Sequence, residues 1–213
     1  MNMLSSLVLL DGNTTASNPG RVSIRPWRYA RHFPFWPTVL LSLVSGFVLI
    51  TVDQRGFIPL TAFFGLMNVL YWLRVRVHFG EGCANPGKVL STQPFIVGIY
   101  SDLKSDGESY PAIKVLEHPA PKGCHYEPGQ NCASVSLYSG LPKKGHWQDF
   151  EPVLVDCATA NAEAIGKTVE SIPLEEWSKL EKGLSQLPQP PKAGVYRIKL
   201  AEPVYNQNQE TIS

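Results

Sequence analysis

The chain has 213 residues, of which 44% are hydrophobic and only 17% are charged, and its net charge is +1. This apolar composition excludes extensive disorder. The charge is unevenly distributed, because residues 1–79 carry seven arginines against two acids, whereas residues 80–213 carry 12 basic and 16 acidic residues. A nucleic-acid-binding protein is disfavoured, since the part large enough to form a folded domain is acidic.

Two apolar runs near the start predict a pair of membrane-spanning helices. Residues 33–52 and 56–73 contain no charge, and only Asp53, Gln54 and Arg55 separate them. About 20 helical residues, each rising ~1.5 Å, cross the ~30 Å hydrocarbon core of a bilayer. The alternative is a pair of buried helices in a soluble protein, which is hard to reconcile with two adjacent uncharged runs in so short a chain.

The flanking residues predict the orientation of this hairpin. Four arginines precede the first run and two follow the second, whereas the connecting turn carries one (Arg21, Arg25, Arg28, Arg31; Arg74, Arg76; Arg55). The positive-inside rule therefore predicts a multi-pass protein of the inner (cytoplasmic) membrane with both termini in the cytoplasm. Aromatic residues cluster at the same boundary, as is typical of the membrane interface. The arginines before the first run either set the topology alone or also attract anionic lipid headgroups.

Three residues inside the runs are candidates for packing within the membrane. Ser42 and Gly46 have the small-xxx-small spacing that lets helix backbones approach closely. Asn68 is an amide in an apolar run and needs a hydrogen-bond partner, either on the other helix of the hairpin or on a second copy of the chain. The bilayer is thus one expected partner, and self-association in the membrane is a second possibility beside simple hairpin packing.

The remainder of the chain predicts a β-rich domain. Short β-prone stretches are separated by turns rather than by crossover helices, and two helical patterns occur late, over residues 159–169 and 173–187. The expected fold class is α+β: a two-helix transmembrane hairpin followed by an antiparallel sheet or small open barrel with one or two C-terminal helices. Asn85-Pro86-Gly87 is interpreted as a turn that opens this domain. The predicted strands cover 88–91, 95–100, 112–116, 134–138, 153–156 and 195–200.

These patterns divide the chain into four parts. We expect a cytoplasmic N-terminal segment over 1–32, a transmembrane hairpin over 33–73, a cytoplasmic β-rich domain over 80–205, and a flexible tail over 206–213.

One loop contains four candidate metal ligands. His118, Cys124, His125 and Cys132 lie within 15 residues, and thiolate and imidazole are ligands that zinc accepts. Their spacing matches no known zinc finger, so a surface loop with scattered thiols, reduced in the cytoplasm, is the alternative. Cys157 follows a predicted strand, where a nucleophile could lie, although such thiols more often act as small buried apolar groups.

Several stretches resemble those of a bacterial protein family. Asn85-Pro86-Gly87, PFIVGIYSDL over 94–103 and YPAIKV over 110–115 carry the similarity, and Trp147-x-Asp149-Phe150-x-Pro152 extends it. The family consists of small membrane-anchored proteins of unknown function. The resemblance implies a membrane-proximal domain and supplies no catalytic residues.

No catalytic signature of the nucleotide-binding, serine-hydrolase or zinc-protease type occurs in the sequence. The prediction is therefore a membrane-anchored, non-enzymatic interaction or accessory module at the cytoplasmic face of the inner membrane. We expect a protein partner or self-association, no cofactor and no nucleic acid. The alternative is a thiol- or metal-dependent membrane enzyme.

Overall fold

Three helices precede the sheet in the part of the chain that the structure describes. The computed structural model describes residues 17–105, 108–140 and 145–200, so the predicted tail at 206–213 lies outside the described residues. Helix α1 covers Pro26–His32, α2 covers Phe35–Asp53, a 3-10 turn covers Arg55–Phe57, and α3 covers Ile58–Glu81. Pro26 and Pro59 lie in the first turns of α1 and α3, where a missing backbone N–H costs little.

Helices α2 and α3 form an antiparallel pair that is long and apolar enough to cross a membrane. No residue in the apolar window of either helix is buried within the chain, which contradicts the alternative of a buried helix pair in a soluble core. The rings of Phe47 and Phe64 stack at 5.1 Å between their centroids, and the hydroxyls of Thr51 and Thr61 lie 2.7 Å apart. Each helix therefore contacts the other along one side and leaves the rest of its surface apolar and open.

The remaining chain forms a six-stranded antiparallel half-barrel. Its strand order is β5-β4-β1-β2-β3-β6, so that β1 and β2 are central and β5 and β6 are the edges. The strand bounds are β1 Cys83–Thr92, β2 Phe95–Asp102, β3 Pro111–Glu117, β4 Asn131–Ser139, β5 Asp149–Leu154 and β6 Gly194–Arg197. The predicted α+β class, with its hairpin and antiparallel sheet, is confirmed.

Residues alternate between the two faces of the sheet, and each face has its own core. The inner face packs against itself and the loops at its ends, through residues such as Val89, Val97, Ile99 and Phe150. The outer face is covered by helices. The end of α3 packs over Ala133 and Val135, and the last helix packs over Tyr100, Ile113 and Val115.

Three helices follow β5: α4 over Val155–Ala158, α5 over Ala162–Ser171 and α6 over Leu174–Leu184. The side chain of Asn161 caps α5 by accepting a hydrogen bond from the backbone N–H of Glu163 at 3.0 Å. Glu175 and Glu176 occupy the first turn of α6, where the helix dipole favours acids.

The interpretation of Asn85-Pro86-Gly87 as a turn was wrong, because these residues lie inside β1. The ladder between β1 and β2 begins only at Gly87, so its hydrogen bonds start after the proline. A Cβ atom at Gly87 would lie 3.0 Å from Cys132 Sγ and 3.3 Å from Ile99 Cγ1. The glycine is therefore explained by close packing on the inner face and not by a turn.

Candidate functional site

The junction between the hairpin and the domain is built from the last turns of α3. Val75 and Phe79 belong to the outer-face core, and Phe79 is fully buried. Only Gly82 separates α3 from β1. A Cβ atom at Gly82 would collide with the carbonyl oxygen of His78 and lie 2.8 Å from that of Ser136. The helix and the sheet are therefore joined without a flexible linker.

The segment before α1 reinforces this junction. The backbone N–H groups of Gly20 and Val22 donate to the carbonyl oxygens of Gly82 and Phe79, at 2.8 and 2.9 Å. The N–H of Arg25 donates to the carbonyl of Ala158 at 2.8 Å. Residues 19–25 thus lie along the domain rather than apart from it.

Tyr29 fixes α1 against α3. Its ring makes edge-on contacts with Trp72 and Phe79, at 6.2 and 6.0 Å between centroids. Burial raises the pKa of the Tyr29 phenol, first of all by desolvating its charged form. Trp72 lies near the end of the second apolar run, and Phe79 lies about 10 Å farther along the helix. Helix α1 is therefore held at the level where α3 passes from its apolar run into the domain.

Polar contacts hold the other side of α1 to the domain. Arg28 Nε donates to the carbonyl oxygen of Asp156 at 2.6 Å, and Arg28 Nη2 donates to Cys124 Sγ at 3.2 Å. The backbone N–H of Lys122 donates to His32 Nδ1 at 3.2 Å, which requires that nitrogen to be unprotonated. Burial, followed by the nearby Arg28, lowers the pKa of His32 and so favours that state.

Exposed basic and aromatic side chains surround this junction. Trp27 is 76% exposed, and Phe35 and Trp36 are 67% and 57% exposed. Five arginines of the same region are exposed as well: Arg21, Arg25, Arg31, Arg74 and Arg76. We call these five arginines, together with Trp27, Phe33, Phe35 and Trp36, the collar.

The structure does not bring the candidate metal ligands together. His118 packs on Phe95 at 5.6 Å between ring centroids, and His125 is exposed. Cys124 contacts Arg28 and Asp156, whereas Cys132 is buried on the inner face. Within residues 17–105, 108–140 and 145–200, no group of three or more His, Cys, Asp or Glu side chains is arranged to hold a metal ion.

The thiols are held in their protonated form. Burial, followed by the nearby Asp156, raises the pKa of Cys132 and of Cys157 to about 12. The pKa of Cys124 is also raised, first by burial and then by Asp156. A catalytic thiol needs the opposite shift, toward the thiolate.

Of the three residues predicted to pack in the membrane, Ser42 and Gly46 lie on α2 outside the main contacts of the helix pair. Ser42 is exposed, and a Cβ atom at Gly46 would meet nothing within 4 Å. Asn68 is half-buried on α3. Contact between the helices instead uses the Phe47–Phe64 stack and the Thr51–Thr61 pair, so Ser42 and Gly46 are not used for close approach within one chain.

A cluster at the open side of the half-barrel was missed by sequence reasoning. Lys114 Nζ, on the inner face of β3, donates to Asp149 Oδ1 at 2.8 Å and to the carbonyl oxygen of Phe150 at 2.6 Å. Tyr110 stacks on His146 at 3.8 Å, and the guanidinium of Arg197 lies 4.3 Å from the Tyr110 ring. The signal was Lys114 itself, a charge at an inward position between Ala112 and Leu116.

Comparison with known proteins gives one family. Residues 74–188 match DUF3239, described as a protein family of unknown function. The chain belongs to the DUF3239 family. The DUF3239 match begins in the last turns of α3 and ends after α6, so it includes Val75, Phe79 and Gly82. The family unit thus contains the helix end together with the sheet.

One solved structure resembles part of the chain. It is described as that of "a putative membrane protein from Corynebacterium diphtheriae", and it shares 19% sequence identity with this DUF3239 member. The similarity covers 54% of this chain and 99% of that chain, with a TM-score of 0.47. No curated protein matches the chain.

Proposed function

We propose that this DUF3239 member is a two-span anchor that presents its β-rich domain at the cytoplasmic face of the inner membrane, as a non-enzymatic interaction or accessory module. In this proposal the spans cover 33–52 and 56–73, both termini are cytoplasmic, and residues 80–205 form the presented domain. The single observation that carries the proposal is the continuous path of α3 from its apolar run to the buried Phe79.

Rigid attachment to an anchor removes the orientational freedom of a domain. An enzyme on a flexible tether keeps that freedom and can still work. Here the helix enters the core, Gly82 leaves no linker, and the Gly20 and Val22 backbone contacts tie the preceding segment to the same place. Such a junction fixes which side of the sheet faces the membrane and which side faces a partner. A module that docks on a neighbouring membrane protein benefits from this fixed orientation.

The orientation rests on charge. The arginines of the collar flank one end of the helix pair, and the turn at the other end carries only Arg55. The positive-inside rule assigns the richer side to the cytoplasm.

The raised pKa values of the thiols disfavour the alternative of a thiol-dependent enzyme, since neither Cys132 nor Cys157 is held as a thiolate.

Sidedness can be tested by labelling with a membrane-impermeant maleimide. In a Cys124→Ser background, which leaves only buried native thiols, Gln54→Cys reports on the turn and Glu170→Cys on the domain. We expect Gln54→Cys to react in intact cells and Glu170→Cys only after lysis. The unsubstituted background is the control and should not react. Reaction of Glu170→Cys in intact cells would overturn the orientation.

The interaction role can be tested by amine-reactive cross-linking in native membranes followed by mass spectrometry. We expect lysines of the domain to cross-link repeatedly to one other membrane protein or to a second copy of this chain. Cross-links that remain within one chain under all growth conditions would contradict the proposed role. Retention of the protein in membranes after alkaline carbonate extraction tests the anchor separately.

A further inference from the structure

We propose that the collar is a binding surface for the headgroups of anionic phospholipids. This inference rests on the proposed membrane anchor and adds the lipid class that the anchor selects.

The collar lies beside the end of the second apolar run. Tyr29 packs on Trp72 and Phe79, which places α1 beside the turns of α3 that follow the second apolar run. These turns lie beyond the hydrocarbon part of the helix, where the headgroups of a bilayer are found. Arg74 and Arg76 project from the same turns and are exposed.

The side chains of α1 divide into a packed set and an exposed set. Tyr29 packs against α3, and Arg28 faces the domain, where it donates to the carbonyl of Asp156 and to Cys124. Trp27 and Arg31 are exposed instead. Indole rings and arginines exposed together at this level are typical of the membrane interface, where the ring contacts acyl chains and the guanidinium contacts phosphate.

The charge of the collar is complementary to that of an anionic headgroup. Guanidinium groups form paired hydrogen bonds with phosphate, and each basic residue near an anionic surface contributes to attraction. The rest of the molecule has the opposite charge, because residues 80–213 carry 16 acidic against 12 basic residues. An anionic bilayer therefore attracts the collar and repels the domain, which favours one orientation of the domain above the membrane.

The experiment uses the full chain reconstituted into phosphatidylcholine bilayers that contain phosphatidylglycerol. Either the phosphatidylglycerol or the phosphatidylcholine is brominated, and bromine quenches the fluorescence of nearby tryptophans such as Trp27 and Trp36. The ratio of the two quenching curves gives the affinity for the anionic lipid relative to the neutral one. Both leaflets have the same composition, so the result does not depend on the orientation of the protein.

We expect the wild-type chain to prefer phosphatidylglycerol and to lose that preference as salt is raised, since exposed charges are screened. Two variants neutralise the collar in parts: Arg25→Gln with Arg31→Gln, and Arg74→Gln with Arg76→Gln. Each variant should lower the affinity for phosphatidylglycerol relative to phosphatidylcholine by up to about five-fold per arginine removed. The lower limit is equal binding of the two lipids. The matched control is Lys182→Gln with Lys192→Gln, which removes two exposed charges from the domain and should leave the preference unchanged.

Arg74→Lys with Arg76→Lys guards against a merely misfolded variant, because it keeps the charge and should retain most of the preference. Equal quenching by the two lipids in the wild-type chain would overturn the inference, as would an unchanged preference in both arginine-to-glutamine variants. Loss of the protein from the bilayer on flotation in alkaline carbonate would instead overturn the anchor itself, so the two failures are distinguishable.

Discussion

Lys114 and Asp149 form an ion pair, at 2.8 Å between Nζ and Oδ1, across the open side of the half-barrel. Their strands, β3 and β5, are not neighbours in the sheet, because β2, β1 and β4 lie between them. The pair therefore joins two distant parts of the sheet where no ladder of backbone hydrogen bonds does so.

Replacing Lys114 by methionine should destabilise the domain. The lysine side chain is only 16% exposed, and its loss leaves both the carbonyl of Phe150 and the Asp149 carboxylate without this donor. We expect the free energy of unfolding to fall by about 1–3 kcal/mol, as measured by urea denaturation in detergent. Lys167→Met is the control, since Lys167 and Glu163 form an exposed pair within one helix worth less than about 0.5 kcal/mol. Equal effects of the two changes would contradict a special role for the Lys114 pair.

Gly82→Ala should be much more harmful than Gly80→Ala. A Cβ atom at position 82 collides with the His78 carbonyl and crowds that of Ser136, whereas a Cβ atom at position 80 meets nothing within 4 Å. We expect Gly82→Ala to cost about 1–3 kcal/mol and Gly80→Ala, inside α3, to be neutral or stabilising. Thermal unfolding of the two variants in the same detergent measures the difference. A well-tolerated Gly82→Ala would show that the junction is looser than described.

Glu176→Gln should stabilise the protein at neutral pH. Burial is the main cause that raises the pKa of this carboxyl, and its buried oxygen Oε2 has no hydrogen-bond partner. The pKa of this carboxyl is higher in the folded state than in the unfolded state, so its ionisation opposes folding. The full penalty applies above the folded-state pKa, and it disappears as the pH falls through that pKa toward the unfolded-state pKa. The glutamine should thus add about 1 kcal/mol or less at pH 7 and nothing at pH 4.

Glu175→Gln is the matched control for this pH dependence. Its hydrogen bond with Lys179 lowers the pKa of the exposed Glu175 carboxyl, so ionisation supports folding there above the unfolded-state pKa. Glu175→Gln should therefore lower the free energy of unfolding at pH 7, whereas Glu176→Gln raises it. Unfolding curves of both variants at pH 4 and pH 7 measure the signs, and two variants that shift the same way would contradict this account.

Thiol reactivity should separate Cys124 from the other three cysteines. Cys83, Cys132 and Cys157 are buried and Cys124 is half-buried. In the native protein at pH 8 we expect a disulfide reagent to modify one thiol quickly and the rest only after denaturation, and Cys124→Ser should abolish the fast phase. Fast reaction of Cys132 or Cys157 would be inconsistent with thiols of pKa about 12.

Local patterns were enough to predict the helix pair, the antiparallel sheet and the late helices. They were less reliable where proline occurs inside strands. Because Pro152 is a proline, the sequence pattern did not indicate the start of β5. This strand was predicted over 153–156 and in fact covers Asp149–Leu154. Proline is tolerated there because β5 is an edge strand with one side free of ladder hydrogen bonds.

The candidate site depended more on distant contacts, which no local pattern encodes. The arginines and aromatic residues of the collar were visible in the sequence, because charge and hydropathy mark a membrane boundary. The hydrogen bonds of Gly20 and Val22 with Gly82 and Phe79 could not be predicted from the sequence. They join residues about 60 positions apart through backbone atoms alone. The contact of Arg28 with Asp156, 128 residues away, was hidden for the same reason.

The direct passage from α3 to β1 through Gly82 has a mechanical consequence. Membrane-spanning helices adjust their tilt to the thickness of the surrounding bilayer. In the proposed anchor no hinge would absorb the movement, so a change in the tilt of α3 would turn the whole half-barrel through the same angle. The helix would then act as a lever, and the surface that the sheet offers to a neighbour would depend on the thickness of the membrane.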